Sequence, residues 1–369
     1  MAIGADEMQA FLDGWQRLLA ARCAEADVRR VMETPEGFDR ALWGEIAALG
    51  ITGLIVAPEH GGVGGGATEL ERVMEAAGAA LLPSPLLSSG VLAAGLLGAL
   101  GDAEAAARLL PGIADGSRIA TVALTGPRAR WIEDDVAVTA APAGNGWQLD
   151  GAAAFVTHAE VADLLLVVAR APDGLGVFEV DPAAVATNAL PAFDRTLRMA
   201  DLTFAGTPAT RLAGAIPAWE AVEAALDLAR VAIAGEQAGG TRRVFEMTVD
   251  YAKARHQFGR AIGGFQAIKH MAADLLLESE SCTSAARHAA ERLAAGAEDA
   301  PQAIALAAFA CADAFVHTTA QAIQMHGGIA FTWAHPAHLY LRRARADAQL
   351  FGTSDAYRER FVQALEQAR

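Results

Sequence analysis

Residues 251–270 read YAKARHQFGRAIGGFQAIKH, and residues 324–331 read QMHGGIAF. In the first segment a helical pattern ends near Arg255, and an arginine, a glutamine and a phenylalanine are displayed where the chain turns at Gly259. Such a turn can offer the arginine to a phosphate as a bidentate donor and the phenylalanine to a flat ring. In the second segment two adjacent glycines allow backbone N–H groups to approach a ligand closely. Both segments are therefore candidates for ligand binding.

The chain around these two segments has a helical pattern. Apolar residues recur at three- and four-residue spacing over residues 219–253, 263–295 and 301–325, which is the periodicity of an amphipathic helix. The same spacing appears near the N-terminus, from Phe11 to Leu19. Both ends of the chain are therefore predicted to be helical.

The middle of the chain has a different pattern. Short apolar runs are separated by turn residues at roughly ten-residue intervals, which is typical of an antiparallel barrel or sandwich and not of a dinucleotide-binding fold. The predicted strands lie at residues 119–124, 136–138, 147–149, 164–169 and 177–180, with turns at residues 144–146 and 172–174.

This order of patterns predicts an α+β chain in three parts. We expect an N-terminal helical domain over residues 1–118, a β-barrel or sandwich domain over residues 119–215, and a C-terminal helical bundle domain over residues 216–369.

The composition excludes several classes of protein. The chain has 369 residues, of which 53% are hydrophobic, and a net charge of -15. The apolar content argues against intrinsic disorder, and the acidic balance argues against binding to nucleic acid. Cys23, Cys282 and Cys311 are far apart in the sequence and form no C-x-x-C pair. A disulfide framework or metal site is therefore not expected, and a reducing compartment is favoured.

The sequence shows no targeting or membrane-spanning pattern. Its start lacks the basic and apolar regions of a signal peptide. The most apolar run, residues 86–100, is shorter than the roughly 20 residues of a membrane span and is predicted to be a buried helix. Residues 61–67, GGVGGGA, lack the ending of a phosphate-binding loop and are predicted to form a surface loop. We expect a cytoplasmic protein that binds no membrane.

The two opening segments resemble signatures of the acyl-CoA dehydrogenase family. These are R-x-Q-F-G at residues 255–259, followed by FQAIKH at residues 265–270, and Q-x-H-G-G at residues 324–328. The resemblance extends over essentially the whole chain and includes LWGEIAALGITGLIVAPEHGGVG at residues 42–64. It implies an N-terminal helical domain, a central antiparallel β domain and a C-terminal four-helix bundle.

The resemblance also implies a cofactor, a reaction and partners. In this family FAD lies between the β domain and the C-terminal helices, in a dimer or a dimer of dimers, and the neighbouring subunit holds its adenine-diphosphate end. The reaction is the α,β-dehydrogenation of an acyl-CoA thioester, and an electron-transfer flavoprotein reoxidises the FAD. The residues that match the family's FAD contacts are Arg255, Gln257 and Phe258 for the diphosphate end, and Gln324, Gly327 and Gly328 for the adenylate portion.

Two motifs in the β region resemble the family's flavin contacts. Phe155-Val156-Thr157 resembles an aromatic-x-Thr motif that lies against the isoalloxazine, so Thr157 is expected near flavin N5 and Phe155 over a ring face. Thr125, in Leu124-Thr125-Gly126-Pro127, matches the threonine of a T-E-P loop and is expected to face the flavin.

The catalytic base of the family is missing from both of its usual positions. The α-hydrogen of the thioester is weakly acidic, so a carboxylate must lie within hydrogen-bond reach of it. The two glutamate positions of the family correspond to Phe351 and Ala229, and neither residue accepts a proton. Asp227 and Arg230, three residues apart on one helix, match the family's substrate-binding pair. The carboxylates considered as substitutes for the base are Asp227, Glu236, Asp347 and Asp355.

A further departure follows Thr125. Gly126 replaces the glutamate of T-E-P, and residues 128–131, RARW, replace a glycine-rich turn that grips flavin and thioester in the family. The losses therefore fall on residues that serve a subunit's own flavin, whereas those that serve the neighbour's flavin are retained. Some bacterial members that shorten sterol side chains have two unlike subunits and half the usual number of flavins, which resembles this asymmetry.

Three functions remain open from the sequence. The first is a subunit without its own base that completes the FAD site of a partner, in fatty acid or sterol side-chain degradation. The second is a self-sufficient dehydrogenase with an unorthodox base. The third is a flavin-free protein that binds CoA esters or has a structural role.

Overall fold

The computed structural model describes residues 5–367, and this part of the chain contains eleven α-helices. Their bounds are α1 Ala5–Arg22, α2 Glu25–Val31, α3 Arg40–Ala48, α4 Ala67–Ala79, α5 Ala94–Leu100, α6 Ala103–Ala114, α7 Ala218–Ala254, α8 Gln266–Ala294, α9 Ala300–His326, α10 Ala337–Asp347 and α11 Ser354–Gln367. The three long helices α7, α8 and α9 lie where the apolar periodicity predicts them, and the N-terminal pattern also forms helices.

The same part of the chain contains nine strands. Their bounds are β1 Ala120–Ala123, β2 Thr139–Ala143, β3 Gly146–Thr157, β4 Leu164–Ala171, β5 Gly174–Val180, β6 Ala186–Ala189, β7 Met199–Arg211, β8 His256–Gln257 and β9 Arg260–Ala261. Strands β1 to β7 form one sheet in the middle of the chain, so the predicted α+β fold class is confirmed.

The sheet closes on itself. Its order is β1-β4-β2-β3-β7-β5, and β5 also pairs with β4, which completes a barrel. The interior is apolar and includes Leu149, Val167, Phe178 and Leu202. Most pairs are antiparallel, as predicted, but β1 and β2 both run parallel to β4. This difference arises because the segment between β1 and β4 is long enough to act as a crossover, which a parallel pair requires.

Two further differences concern the strand positions. Residues 136–138 are not a strand, and the carbonyl oxygen of Val136 accepts a hydrogen bond from the Arg170 side chain, 3.1 Å away. The predicted strands did not include β6 and β7. Strand β7 carries a signal that would have revealed it, because its buried residues Ala200, Leu202 and Phe204 alternate with more exposed ones.

In the N-terminal part, the apolar run forms a buried helical segment and the glycine-rich segment forms a loop bonded to neighbouring backbone. Residues 87–93 form a π-helix whose residues are all buried, and α5 continues it. In the glycine-rich segment, the N–H groups of Gly62, Gly64 and Gly65 donate to the carbonyl oxygens of Ala57, Val56 and Leu54. These N–H groups are thus already bonded to the backbone, which supports the surface-loop prediction over a phosphate-binding loop.

The described residues form two compact units, which we call the sheet unit (residues 5–14, 30–69 and 83–229) and the helical unit (residues 15–29, 70–82 and 230–367). The domain boundaries predicted after residues 118 and 215 stay a prediction. Within residues 5–367, one stretch, residues 300–331, is long and apolar enough to cross a membrane, and 56% of its most apolar window is buried inside the protein.

Two helices of the helical unit approach each other at backbone contact. A Cβ atom on Gly239 of α7 would lie 1.8 Å from the carbonyl oxygen of Glu75 on α4, and one on Gly235 would lie 2.5 Å from that of Glu71. Glycine inside a helix costs about 1 kcal/mol relative to alanine. The close approach explains why α7 nevertheless contains these glycines.

Candidate functional site

The first signature segment forms a tight hairpin after α7. Phe258 and Gly259 connect β8 to β9 and have φ angles of 53° and 78°. Two successive positive φ angles define a type I′ turn, which matches the twist of a hairpin. The turn predicted at Gly259 is therefore present, and it turns the Phe258 ring outward, 92% exposed.

The side chains of this hairpin face solvent. Arg255 and Gln257 are exposed, and the backbone carbonyl of Arg255 accepts a hydrogen bond from the N–H of Ile262 at 2.8 Å. The Arg260 guanidinium lies over the ring of Phe265, 4.1 Å from its centroid. The hairpin thus has a fixed backbone and an exposed cation and aromatic ring.

The second signature segment begins where α9 ends. Gly327 has φ 67° and ψ −149°, a conformation that residues with a Cβ rarely adopt. A Cβ atom added at Gly327 or Gly328 would meet nothing within 4 Å, so there is open space beside this backbone. Gln324, two residues before the end of the helix, is exposed.

One hydrogen bond connects the two signature segments. The hydroxyl group of Tyr251, near the end of α7, donates to the carbonyl oxygen of His326, the last residue of α9, at 3.3 Å. We call the two segments, residues 255–261 and 324–328, the donor end of the helical unit. Sequence reasoning did not single out Tyr251 as a connector, although it is the first residue of the quoted segment.

The donor end fits the adenine-diphosphate portion of FAD. An exposed guanidinium is suited to a diphosphate, and glycines beside open space let N–H groups reach a ligand. An exposed phenylalanine ring can cover a flat base. These residues are available on the surface of the helical unit by itself.

In the sheet unit, Thr125 has a different environment. It is buried, and its hydroxyl group donates to Oδ2 of the buried Asp135 at 2.8 Å. The same carboxylate accepts from the N–H of Arg130 at 3.0 Å and from Nε of Arg128 at 2.8 Å. We call residues 125–135 the Thr125 loop. Its polar groups bond to one another, so the Thr125 hydroxyl is already engaged.

The charge of Asp135 is stabilised by these contacts. Burial acts to raise the pKa of Asp135, but the N–H of Arg130, the Thr125 hydroxyl and the Arg128 guanidinium outweigh it and hold the pKa below its ordinary value. Two non-glycine residues of the loop, Ala129 and Trp131, have positive φ angles of 50° and 54°. Asp135 was missed by sequence reasoning, because only the folded loop brings it to Thr125.

Phe155 and Thr157 lie at a bulge of β3. The pairing of β3 with β7 shifts register between Ala153 and Val156, and Phe155 has a φ angle of 55°. The N–H of Phe155 donates to Oδ1 of Asp201 at 3.2 Å. Bulges often redirect a side chain beside a functional site, so this position is compatible with the predicted flavin contact.

Neither of the two predicted base positions carries a carboxylate. Phe351 is only 2% exposed and has a φ angle of 64°, and Ala229 is fully buried. The carbonyl oxygen of Phe351 accepts from the hydroxyl of Tyr357 at 2.5 Å, and that hydroxyl accepts from Nε of Arg230 at 3.2 Å. In the helical unit, Arg230 is thus tied through Tyr357 to the backbone beside the missing base.

The four substitute carboxylates differ in their surroundings. Glu236 is buried and paired with the buried Arg343, which neutralises it. The side chain of Asp355 is almost fully exposed and bonds to Arg358 at 3.0 Å, so it is not desolvated. Asp347 is buried and lines a narrow cleft together with Arg230, Gln237 and Tyr357. Asp227, on α7 in the sheet unit, is half-buried.

Other parts of the molecule offer little further chemistry. A groove of about 580 Å³ in the helical unit is lined by none of the predicted site residues. Cys23 borders this groove, and burial raises its pKa to about 12, so the thiol stays protonated. Cys282 and Cys311 are close in space but free, with the Cys311 thiol 3.3 Å from the Cys282 carbonyl oxygen. In the described part of the chain, no group of three metal-ligating side chains occurs.

Comparison with known proteins identifies the fold and its relatives. The family model "Acyl-CoA dehydrogenase, N-terminal domain" matches residues 5–117, and "Acyl-CoA dehydrogenase, C-terminal domain" matches residues 219–365. The acyl-CoA dehydrogenase IpdE2 of Mycobacterium tuberculosis is 33% identical over 349 residues, which cover 94% of this chain and 93% of IpdE2. FadE34 of the same organism is 33% identical over 381 residues, which cover this chain completely and 49% of FadE34.

Two solved structures are similar over nearly the whole chain. A variant of the Tcur3481-Tcur3483 steroid acyl-CoA dehydrogenase is 30% identical with a TM-score of 0.88 and covers 98% of each chain. The ChsE4-ChsE5 complex from Mycobacterium tuberculosis is 29% identical with a TM-score of 0.89 and covers 100% of this chain and 99% of the other. With both family models matched and a relative of one-third identity along almost its full length, this chain belongs to the acyl-CoA dehydrogenase family, whose cofactor is FAD.

Proposed function

We propose that this chain is the subunit of a heteromeric acyl-CoA dehydrogenase that lacks a catalytic base and completes the FAD site of a partner subunit. The observation that carries the proposal is the absence of a carboxylate at residues 229 and 351. Ala229 and Phe351 are both buried, so a water molecule has little access to act in place of the base.

The chemistry explains why the two positions matter. When bound, FAD supplies the hydride acceptor of the reaction. The protein must remove the α-proton of the thioester, and this step requires a basic group at hydrogen-bond distance. Phenylalanine and alanine have no such group, and Arg230 is a permanent cation that binds to Tyr357. The chain by itself is therefore expected to be a poor dehydrogenase.

The arrangement of the remaining donors supports a role toward a partner. Arg255, Gln257 and Phe258 are exposed at the donor end, as are Gln324 and the Gly327–Gly328 pair. In the sheet unit, by contrast, the Thr125 hydroxyl is engaged by Asp135. The donors that the family uses for a neighbour's flavin are thus accessible, and one of those used for a subunit's own flavin is not.

The relatives support the same assignment. Two similar structures have paired names, the ChsE4-ChsE5 complex and the Tcur3481-Tcur3483 steroid acyl-CoA dehydrogenase. This chain matches 49% of FadE34, so that relative is about twice as long and has room for a second unit of this size. An acyl-CoA thioester from fatty acid or sterol side-chain degradation is the substrate class that we propose.

Several expectations from the sequence belong to this proposal. They are FAD contacts by Arg255, Gln257, Phe258, Gln324, Gly327, Gly328, Thr125, Phe155 and Thr157, substrate contacts by Asp227 and Arg230, a dimer-of-dimers assembly, reoxidation by an electron-transfer flavoprotein, and a cytoplasmic location. The engaged Thr125 hydroxyl makes that residue the weakest of the flavin contacts.

The decisive experiment is co-expression with an acyl-CoA dehydrogenase paralogue that carries a glutamate at one of the two base positions. We expect the pair to co-purify, to hold one FAD for each pair of unlike chains, and to bleach under anaerobic conditions with acyl-CoA thioesters. The chain expressed alone is expected to hold little FAD. A chain that purifies alone with one FAD per subunit and is bleached by thioesters would contradict the proposal.

One observation favours a second candidate, a self-sufficient dehydrogenase. Asp347 is a buried carboxylate in a cleft that also contains Arg230 and Tyr357. If the chain alone is active, Asp347→Asn is expected to abolish the activity, and Asp355→Asn is expected to leave it unchanged. Equal activity of both variants would exclude Asp347 as the base.

A further inference from the structure

An aromatic stack lies beside the glycine pair of the donor end. The ring of Tyr251 on α7 stacks on the ring of His326 with centroids 4.3 Å apart, and the ring of His335 lies 4.5 Å from that of His326. His326 immediately precedes Gly327, and His335 lies two residues before α10. The stack therefore connects the start of the glycine loop to α7 and to the start of α10.

The hydrogen bonds of this stack determine where its protons are. Nδ1 of His326 is 2.8 Å from the carbonyl oxygen of Ala322, so Nδ1 carries the proton and donates it. Nε2 of His326 is buried and has no hydrogen-bond partner in the part of the chain that the structure describes. Nδ1 of His335 accepts from the N–H of Ala337 at 3.2 Å, so its proton is on Nε2. Both rings are neutral in this arrangement.

A second proton on either ring conflicts with these contacts. On His326 it would create a buried N–H group without an acceptor. On His335 it would occupy the nitrogen that accepts from Ala337, at the first residue of α10. Either protonation would thus weaken the attachment of the loop between α9 and α10.

The charged groups that face the stack do little to stabilise such a proton. From α2, Glu25 favours a charged His335, but it is paired with Arg29 at 2.8 Å, and Arg29 opposes the charge. Burial lowers the pKa of His326, and burial followed by the charge of His326 lowers the pKa of His335. On α10, His338 is also affected: burial, Arg29 and Arg342 lower its pKa to about 4.

We propose that Tyr251, His326 and His335 form a neutral stack that holds the Gly327–Gly328 loop, and that a proton on either histidine releases the loop. Because the folded state disfavours the charged rings, the loop is fully held above the ordinary histidine pKa of 6.5 and loses stability as the pH falls below it. Release of the loop in acid would also release the partner's flavin, and this part of the inference rests on the function proposed above.

Hydrogen exchange of the full chain tests the stack without flavin or activity. The backbone amides of residues 327–333 are compared at pH 7.5 and pH 5.5 after correction for the intrinsic exchange rate. We expect exchange from the loop to be faster at pH 5.5 by up to about tenfold, because pH 5.5 is one pH unit below the ordinary histidine pKa of 6.5 and the open loop gains the proton there. Corrected exchange that is independent of pH would overturn the inference.

Variants separate the stack from other effects of acid. His335→Asn keeps an acceptor for the N–H of Ala337 but cannot gain a proton, so the part of the pH dependence that His335 contributes should disappear and only the part from His326 should remain. The control is His288→Asn on α8, where the histidine is exposed, and the pH dependence should remain. Tyr251→Phe keeps the stacked ring but loses the bond to His326, so the loop should exchange faster at both pH values. The inference is wrong if His335→Asn and His288→Asn have the same pH dependence.

Flavin retention by the assembled complex is measured separately. If the loop opens in acid and the complex releases FAD over the same range of pH, both proposals are supported. If the loop opens but the complex keeps its FAD, the stack is supported and the assignment of Gly327 and Gly328 to the partner's flavin is wrong.

Discussion

The donor end and the Thr125 loop both contain residues that resemble flavin contacts, but their polar groups are used differently. At the donor end, Arg255 and Gln257 are exposed on a paired hairpin. In the Thr125 loop, the buried carboxylate of Asp135 accepts from the side chains of Thr125 and Arg128. A sequence motif therefore indicates ligand binding only if its polar groups are free to contact a ligand in the folded protein.

The largest expected effect concerns catalysis by the chain alone. Without a carboxylate at residues 229 and 351, its dehydrogenation rate should be about 10²–10⁴ lower than that of the complex, which is the usual contribution of a general base. The measurement is anaerobic flavin bleaching with a panel of acyl-CoA thioesters, after reconstitution of the chain with FAD. If the chain alone is bleached as fast as the complex, it does not depend on a partner's base, and the contrast between the donor end and the Thr125 loop has no functional meaning.

A gain-of-function variant sharpens the same test. Ala229→Glu in the reconstituted chain should restore part of the activity, since the new carboxylate lies beside Arg230 on α7. Recovery should be incomplete, because the Thr125 loop still engages the hydroxyl of Thr125. Ala229→Gln has nearly the same shape but cannot take a proton, so it should be inactive. Equal activity of the two variants would show that the residue at 229 is not acting as a base.

The next effect concerns the stability of the Thr125 loop. Asp135→Ala leaves the Thr125 hydroxyl and the N–H of Arg130 without their acceptor, so the free energy of unfolding should fall by about 2–4 kcal/mol. Urea denaturation measures this change. Asp134→Ala is the matched control, because that side chain is exposed, and it should change stability by less than about 0.5 kcal/mol.

The pH dependence of this effect has a definite sign. Because the pKa of Asp135 is lowered in the folded protein, the stabilisation is present above the ordinary aspartate pKa of 3.8 and is lost as the pH falls through the folded value. The difference in the free energy of unfolding between wild type and Asp135→Ala should therefore become smaller in acid. A difference that is equally large at pH 7 and at pH 3 would show that the charge is not responsible.

A smaller effect is expected for the cation of the donor end. In the assembled complex, Arg255→Ala should weaken FAD retention by about 1.5–3 kcal/mol, because a charge-assisted contact to the diphosphate is lost. Equilibrium dialysis of the complex measures the change. Lys253→Ala removes an exposed cation that is paired with Asp250 at 3.6 Å, and it should have no effect on retention. Unchanged retention in Arg255→Ala would remove this residue from the site.

The smallest effect separates stability from function within the hairpin. Phe258 has a positive φ angle, which asparagine adopts at lower cost, and Asn-Gly is a preferred type I′ pair. Phe258→Asn should therefore stabilise the chain by about 0.5–1 kcal/mol in thermal unfolding, while the complex retains FAD less well. Phe258→Leu keeps the strain and should leave stability unchanged. If the complex with Phe258→Asn retains FAD as well as the wild type does, the Phe258 ring does not contact FAD.

The sequence predicted local structure well wherever a single segment determines it. Helices α7, α8 and α9 follow from apolar periodicity, and the turn at Gly259 follows from its glycine. The parallel direction of β1 was not predicted, because it depends on the path of the chain between β1 and β4.

In the candidate site, too, the sequence does not predict contacts between residues that are distant along the chain. The types of the donor residues are visible in the sequence, but whether their polar groups are free depends on groups elsewhere. The bond from Tyr251 to His326 joins residues 75 positions apart, and Asp135 reaches Thr125 only through a loop with two residues at positive φ. No local pattern of residues encodes either contact.

The helical unit is built from segments that lie far apart in the sequence, and this affects how the chain folds during synthesis. Residues 15–29 and 70–82 belong to a unit that otherwise consists of residues 230–367. Helix α4 meets the glycines of α7 by direct backbone contact, so its partner surface does not exist until α7 has left the ribosome. The early helices must wait for much of the chain to be translated, with apolar surface exposed during that time. Such long-range contacts slow folding, and we expect chaperones to bind the nascent chain during this interval.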